Sequence, residues 1–159
     1  MTSMQRIPKI EIKKVPKSTK IAVITALWNT DLTENMQTEC IKELDKFNIK
    51  IKRINVAGSF ELIAAAKVAL AKKFDAVVVL GVILNGETPH FDYVCQAVTQ
   101  GMTDLAVEYG KPIGFGVLTC NNYEQAYQRA GFKDSKENKG KETAEAVLLS
   151  LISHKQLAK

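Results

Sequence analysis

The chain has 159 residues, of which 46% are hydrophobic; this is the length and composition of one globular domain and excludes disordered and fibrous proteins. No apolar run approaches the ~20 residues of a membrane-spanning helix, so we expect no membrane partner. The net charge of +5 belongs to the first twenty residues, which hold six basic side chains and one acidic, and the neutral remainder predicts no nucleic-acid partner.

Four short segments predict the strands of a sheet. Residues 20–27 (KIAVITAL) are the first, and residues 49–56 (IKIKRINV), which alternate only in part, predict a strand nearer a sheet edge. Residues 76–82 (AVVVLGV) are almost continuously apolar, which is typical of a central parallel strand covered on both faces. Residues 113–119 (IGFGVLT) predict the fourth strand, and their two glycines allow another backbone or a ligand to come close.

Helical patterns separate and follow these strands. Apolar side chains recur at helical spacing from Leu32 to Phe47, residues 59–73 are rich in Ala and Leu, and residues 89–109 predict a long third helix.

Two more helices follow the fourth strand. The motif Asn121-x-x-Glu124 resembles a capping box that opens a short helix, and after a charged link a fifth helix reaches about residue 157. This order of elements predicts an α/β fold in which helices cover both faces of a parallel sheet. We expect a basic tail over residues 1–19 and a single domain over residues 20–159.

The turn before the third helix carries the most chemical information. Glu87 and Thr88 precede Pro89, which suits the first helical position because it needs no amide donor. The free amides of such a turn, together with the helix dipole, favour a phosphate or a carboxylate; the alternative is a plain capping turn with Thr88 as the cap. His90 lies beside this site, where an imidazole relays a proton or is merely hydrogen-bonded in place.

The three cysteines, Cys40, Cys95 and Cys120, are widely spaced and include no Cys-x-x-Cys motif. This pattern predicts neither a disulfide framework nor a zinc site. We therefore expect reduced thiols, a cytoplasmic protein and no bound metal.

Five motifs resemble the 6,7-dimethyl-8-ribityllumazine synthase family, in order and at the family's spacing. They are AGSFE (57–61), GVILNGETPHFDYV (81–94), GFGVLT (114–119), EQAYQRAG (124–131) and NKG (138–140). The resemblance implies a flavodoxin-like three-layer α/β/α sandwich and a transferase of riboflavin biosynthesis. This enzyme condenses 5-amino-6-(D-ribitylamino)uracil with 3,4-dihydroxy-2-butanone 4-phosphate to the lumazine, releasing phosphate and water, without metal or organic cofactor.

The resemblance also implies roles for individual residues. His90 matches the proton-transferring histidine, the amides of the Glu87–Thr88 turn match those that bind the butanone phosphate, and Arg129 completes that phosphate site from a neighbouring subunit. Trp28 and Phe115 match aromatic residues on the pyrimidine, the second also from a neighbour. The residues matched to the pyrimidine site are Trp28, Ser59, Phe60, Glu61, Val82, Ile83, Leu84 and Phe115.

Three further residues matter to this comparison. Lys139 and Glu142 match a charged pair near the same site. Asn85 stands where the family commonly has Arg, beside the phosphate turn. Two alternative functions follow. One is an archaeal-type riboflavin synthase, which needs no phosphate site and is therefore disfavoured by Thr88 and Arg129; the other is a non-catalytic lumazine or flavin binder.

The resemblance implies a homopentamer, because the family shares its active sites between subunits. An N-terminal segment near residues 7–12 would add an edge strand to the adjacent subunit's sheet. The link between the last two helices, residues 132–137, is charged and two residues longer than is usual in members that form sixty-subunit shells. It therefore predicts an isolated pentamer ahead of a shell or a decamer.

Overall fold

The computed structural model describes residues 8–159 of the chain. Four strands and five helices alternate along these residues. In chain order they are β1 (Lys20–Ala26), α1 (Thr30–Leu44), β2 (Lys50–Val56), α2 (Leu62–Leu70), β3 (Ala76–Leu84), α3 (His90–Tyr109), β4 (Ile113–Cys120), α4 (Tyr123–Tyr127) and α5 (Lys139–Leu157).

The four strands form one parallel sheet in the order β2-β1-β3-β4. Helices α1, α4 and α5 pack on one face and α2 and α3 on the other, which confirms the predicted three-layer α/β sandwich. The strand order also confirms that β2 lies at an edge, where most of its side chains are exposed. Only Ile51 and Val56 of this strand are partly buried, and they pack against the cores on opposite faces of the sheet.

Strand β3 is the centre of the core. Its residues are buried from the first to the last but one, and alternate side chains serve opposite faces. Val78, Leu80 and Val82 pack toward α1 and α5, whereas Val77 and Val79 pack toward α2 and α3. Both faces of this strand are therefore dry, so polar groups that act on a ligand must follow its carboxyl end.

The starts of three predicted helices differ from the structure, each for a local reason. Helix α2 begins at residue 62 rather than 59, because the Glu61 carboxylate accepts a hydrogen bond from the Gly58 amide at 2.9 Å and holds residues 58–61 in a turn. The fourth helix is capped by Asn122 rather than Asn121: its Oδ1 accepts from Gln125 N at 2.9 Å. Gln125 Oε1 in turn accepts from the amide of Asn121, the residue before the cap, so the return bond reaches one residue further back than in a capping box.

The third helix begins at His90, and Pro89 is its cap rather than its first residue. The Pro89 carbonyl accepts hydrogen bonds from Asp92 N at 3.1 Å and from Tyr93 N at 3.3 Å. Thr88 Oγ1 accepts from His90 N at 3.4 Å, so the threonine still serves the first turn of the helix.

Part of the segment before β1 packs on the domain. Ile12 and Val15 lie against the core beneath α1 and α5, and the carbonyl of the buried Thr19 accepts from Lys50 N at 2.9 Å. Residues 8–16 have no regular secondary structure within one chain, and Ile7, the start of the predicted edge strand, lies outside the described residues. Between residues 8 and 159 no helix is long and apolar enough to cross a membrane.

Helices α1 and α5 cross closely at Gly140. A methyl group at this position would collide with the Met36 carbonyl oxygen of α1, so only glycine allows the two backbones to approach this far. The contact fixes α5, and with it the residues around its start, against the rest of the sandwich.

We predict that Gly140→Ala lowers the free energy of unfolding by about 3 kcal/mol, because the added methyl group meets rigid backbone. Gly86→Ala is the matched control, since no atom lies within 4 Å of the added methyl group there. Urea denaturation at one protein concentration measures both. Equal stability of the two variants would contradict the close crossing.

Candidate active site

A cavity of about 650 Å³ opens at the carboxyl ends of β1 and β3, next to the start of α3. It brings together most of the residues that the sequence assigned to a pyrimidine site, and His90 with them. The predicted residues that line it are Trp28, Ser59, Phe60, Glu61, Val82, Ile83, Leu84 and His90.

Trp28 forms one wall of this cavity directly after β1. Its amide donates to the Ala57 carbonyl at 3.0 Å, and its ring lies on Gly58, where a Cβ would come within 2.5 Å of the indole. The side chain is nevertheless 66% exposed. An aromatic face that the protein holds but does not cover is available to stack on a planar ligand.

Ser59 places an unpaired hydroxyl at the floor of the cavity. Its residue is 6% exposed, and among residues 8–159 its Oγ finds no hydrogen-bond partner. Gly81 of β3 leaves the space that this oxygen occupies, because a Cβ there would lie 2.5 Å from it. A buried hydroxyl without a partner costs free energy that a ligand can recover by bonding to it.

The turn between β3 and α3 lies at the rim of the cavity and is exposed. The amide of Asn85 donates to the Cys120 carbonyl at 2.9 Å, which ties the start of the turn to β4. The amides of residues 86–88 bond to no acceptor among residues 8–159, and they lie at the positive end of a 20-residue helix. Such donors make an anion site. Asn85, Glu87 and Thr88 themselves do not line the cavity.

Arg129 and Phe115 line a second cavity of about 310 Å³ along β4, apart from the first. The Arg129 Nη1 donates to the Gln125 carbonyl at 2.8 Å, which fixes the guanidinium at the end of α4. Burial raises the pKa of the nearby Cys120 thiol, and the Arg129 charge offsets part of that rise. Within one chain, these two residues and Trp28 therefore serve different cavities.

The predicted pair of Lys139 and Glu142 forms an ion pair of 2.7 Å, and Glu137 approaches the same ammonium at 2.8 Å. Burial lowers the pKa of Lys139, but its hydrogen bonds to the two carboxylates outweigh this and raise it above the ordinary value. Lys139 lines the second cavity beside Arg129, whereas Glu142 lines a different groove near the 132–137 link.

The three thiols are free, and the raised pKa of each makes it a poor nucleophile. Burial raises the pKa of Cys40 to about 12 and also raises that of Cys95 and Cys120. Across residues 8–159, no three His, Cys, Asp or Glu side chains come together as a metal site would require.

Five residues of the first cavity were not predicted. Four of them lie on α3 near His90, at positions one, three, four and seven residues further along; helical spacing from His90 would have found the last three. Asn29, which follows Trp28, is indicated in the sequence only by its position shortly after β1, at the carboxyl end of the strand. The five are Asn29, Phe91, Tyr93, Val94 and Ala97.

We predict that Ser59→Ala raises the free energy of unfolding of the ligand-free protein by about 1 kcal/mol, because the variant no longer buries a hydroxyl without a partner. Thr25→Val is the matched control: this hydroxyl is equally buried but accepts from Gln37 Nε2 at 2.8 Å, so its loss costs about 1 kcal/mol. Urea denaturation compares the two. A Ser59→Ala loss as large as that of Thr25→Val would mean that Ser59 is already satisfied.

Comparison with known proteins shows the family to which the chain belongs. The sequence model of the family described as 6,7-dimethyl-8-ribityllumazine synthase matches residues 18–155. Proteins with that name are similar over most of their length. The one from Paenarthrobacter aurescens is 45% identical over 141 residues, 87% of this chain and 86% of the relative. The one from Streptomyces coelicolor is 42% identical over 142 residues, which are 89% of this chain and 88% of the relative. This chain belongs to the 6,7-dimethyl-8-ribityllumazine synthase family.

Proposed function

We propose that this protein condenses 5-amino-6-(D-ribitylamino)uracil with 3,4-dihydroxy-2-butanone 4-phosphate to 6,7-dimethyl-8-ribityllumazine in riboflavin biosynthesis. The observation that carries the proposal is the cavity at the ends of β1 and β3, where an exposed indole, an unpaired buried hydroxyl and His90 meet beside a turn of free amides. These groups match the two substrates, one planar and polyhydroxylated, the other a phosphate ester.

In this proposal the pyrimidine lies between Trp28 and the end of β3. The indole stacks on the ring, and Val82, Ile83 and Leu84 form the opposite wall, where the chain leaves the sheet. Ser59, Phe60 and Glu61 follow β2 and border the ribityl chain and the edge of the ring. The Ser59 hydroxyl suits a ribityl hydroxyl, because the bond would satisfy both groups.

The butanone phosphate takes the turn before α3. The amides of Glu87 and Thr88 point at its oxygens, and the helix dipole adds to the attraction. Asn85 contributes no charge here, so the positive charge comes from Arg129 of a neighbouring subunit, with Lys139 beside it. The same subunit brings Phe115 to the pyrimidine, and Glu142 holds Lys139 in place through their ion pair.

The reaction begins when an amine of the pyrimidine attacks the ketone and loses water to form an imine. Elimination then expels phosphate, and after tautomerisation the ribitylamino nitrogen attacks the remaining carbonyl and closes the new ring with loss of a second water. His90 transfers protons at these steps, from an exposed position at the start of α3. Because both substrates are reactive, holding them in contact supplies much of the acceleration, up to ~7–11 kcal/mol in favourable cases.

An assay with both substrates tests the function directly. The absorbance of the lumazine should grow with one phosphate released per molecule formed. A pure binder would shift the spectrum of a bound lumazine without turnover. A riboflavin synthase would instead consume two lumazines, a reaction that leaves the phosphate turn without a role.

We predict that His90→Ala lowers kcat by ~10²-fold, with the KM of either substrate changed by less than about threefold, because positioning is retained. His154→Ala is the matched control, since this histidine is exposed near the end of α5 and lines neither cavity. Steady-state rates at saturating substrate measure both. A wild-type rate in His90→Ala would remove the histidine from the mechanism.

We predict that Arg129→Ala raises the KM of the butanone phosphate by ~10²-fold and that of the pyrimidine by less than about threefold, since a guanidinium holds two phosphate oxygens and alanine none. Arg53→Ala, on the exposed edge strand β2, is the control. Equal losses for the two substrates would contradict the phosphate role.

The separation of the two cavities supports an assembly in which subunits share active sites, and we place this protein in a homopentamer. The structure places residues 132–137 within a longer connection between α4 and α5, residues 128–138, and their charged surface supports an isolated pentamer. Phe132 stacks on Tyr127 with ring centroids 4.5 Å apart, Asp134 accepts from the Tyr127 hydroxyl at 2.7 Å, and Lys133 and Lys136 face solvent. A charged surface of this kind suits water better than a contact between pentamers.

In the same proposal residues 1–19 form a tail before the domain of residues 20–159, and residues near 7–12 pair with the sheet of the adjacent subunit. Such a strand would cover an exposed sheet edge. The three free thiols favour a cytoplasmic location.

We predict that refolding equal amounts of His90→Ala and Arg129→Ala chains together restores about a quarter of the wild-type activity, because random mixing pairs an intact His90 with an intact Arg129 at one site in four. Each variant refolded alone is the control. Analytical ultracentrifugation of the wild type should give a species near five chains. No gain on mixing, or an active monomer, would contradict shared sites.

A further inference from the structure

Asn29 holds the chain in an unusual conformation between Trp28 and α1. Its φ of 60° and ψ of 46° are left-handed, and among residues 8–159 only one other non-glycine residue, Ser18, has a positive φ. Asparagine accepts this conformation more readily than most residues. Its carbonyl accepts hydrogen bonds from Leu32 N and Thr33 N, both at 3.0 Å. The left-handed residue is therefore also the N-cap of α1.

The side chain of Asn29 joins the two walls of the first cavity. Its Nδ2 donates to the Val82 carbonyl at 3.1 Å, a bond between the end of β1 and the end of β3 across 53 residues of chain. Asn29 itself lines the cavity. The bond therefore ties the backbone that carries Trp28 to the backbone of the opposite wall.

Trp28 needs such a tie because little else restrains its indole. The ring contacts Gly58 on one side, its amide is bound to Ala57, and two thirds of the side chain is exposed. An exposed aromatic side chain loses freedom when it stacks on a ligand, and fixing its backbone in advance lowers that cost.

We propose that Asn29 is a positioning residue for the pyrimidine substrate: its amide and its left-handed backbone fix the spacing between Trp28 and the end of β3. This inference rests on the proposed function, which assigns that space to the pyrimidine ring. The amide sets the width of the slot, by which we mean the space between Trp28 and the end of β3. Its loss affects the binding of the pyrimidine alone, because the phosphate turn is held separately through the bond between Asn85 and Cys120.

Two substitutions separate the two properties of this residue. Asn29→Gly keeps the left-handed backbone without strain and removes the amide. Asn29→Asp keeps the size of the side chain and replaces the N–H donor by an oxygen that repels the Val82 carbonyl. Asn48→Gly and Asn48→Asp are the controls, at an exposed asparagine in the loop before β2.

Trp28 reports on its own position, because it is the only tryptophan in the chain. Quenching of its fluorescence by 5-amino-6-(D-ribitylamino)uracil under anaerobic conditions gives Kd. We expect Kd and the KM of the pyrimidine to rise about tenfold in both Asn29 variants, the scale of one lost hydrogen bond. The KM of the butanone phosphate and kcat should stay within about twofold, and acrylamide should quench Trp28 of the ligand-free variants more strongly.

Each other outcome overturns the inference. Folded Asn29 variants with wild-type Kd would show that the amide does not set the slot, and equal rises in the KM of both substrates would make the effect general. Failure of both variants to fold would make Asn29 a determinant of stability instead. A wild type that forms no lumazine would refute the proposed function, whereas a normal wild type with unaffected variants would refute only the role of Asn29.

Discussion

The covering of β3 on both faces is the constraint on which the rest of the molecule depends. A parallel strand between two layers of helices has no exposed side chain along most of its length. The residues of β3 therefore become accessible to solvent and ligands only where the strand ends. The cavity, the phosphate turn and the start of α3 all follow that point within a few residues. The dry interior and the reactive rim are two consequences of one packing arrangement.

Close contacts at single residues then set the shape of the rim. Gly58 lets the Trp28 ring lie on the backbone, Gly81 leaves room for Ser59 Oγ, and Gly140 seats α5 against α1. In each case the missing side chain is the functional feature, because a neighbouring group uses the space. The rim is therefore shaped by where the chain carries no Cβ as much as by its polar groups.

Much of this was predictable from sequence, for physical reasons that also explain the failures. Strand β3 and helix α3 are long, periodic and apolar, so their burial is encoded locally. The turn at residues 58–61 is set by the hydrogen bond from the Gly58 amide to the Glu61 carboxylate, which periodicity does not register. Likewise Asn122 caps α4 although Asn121 has the same chemistry. The resemblance named eight residues of the cavity and assigned Arg129 and Phe115 to a neighbouring subunit. Local patterns alone would not separate these two residues from the cavity, since that depends on how distant segments meet.

The unpaired hydroxyl of Ser59 has a consequence for how this sequence changes over generations. A buried oxygen that lowers the stability of the empty protein gives folding no reason to retain it, and a change to alanine would meet no resistance from the packing. Only selection for binding of a ligand in the cavity would retain this hydroxyl. A descendant that stopped making its product would lose this hydroxyl early, while Gly140, on which the fold itself depends, would persist.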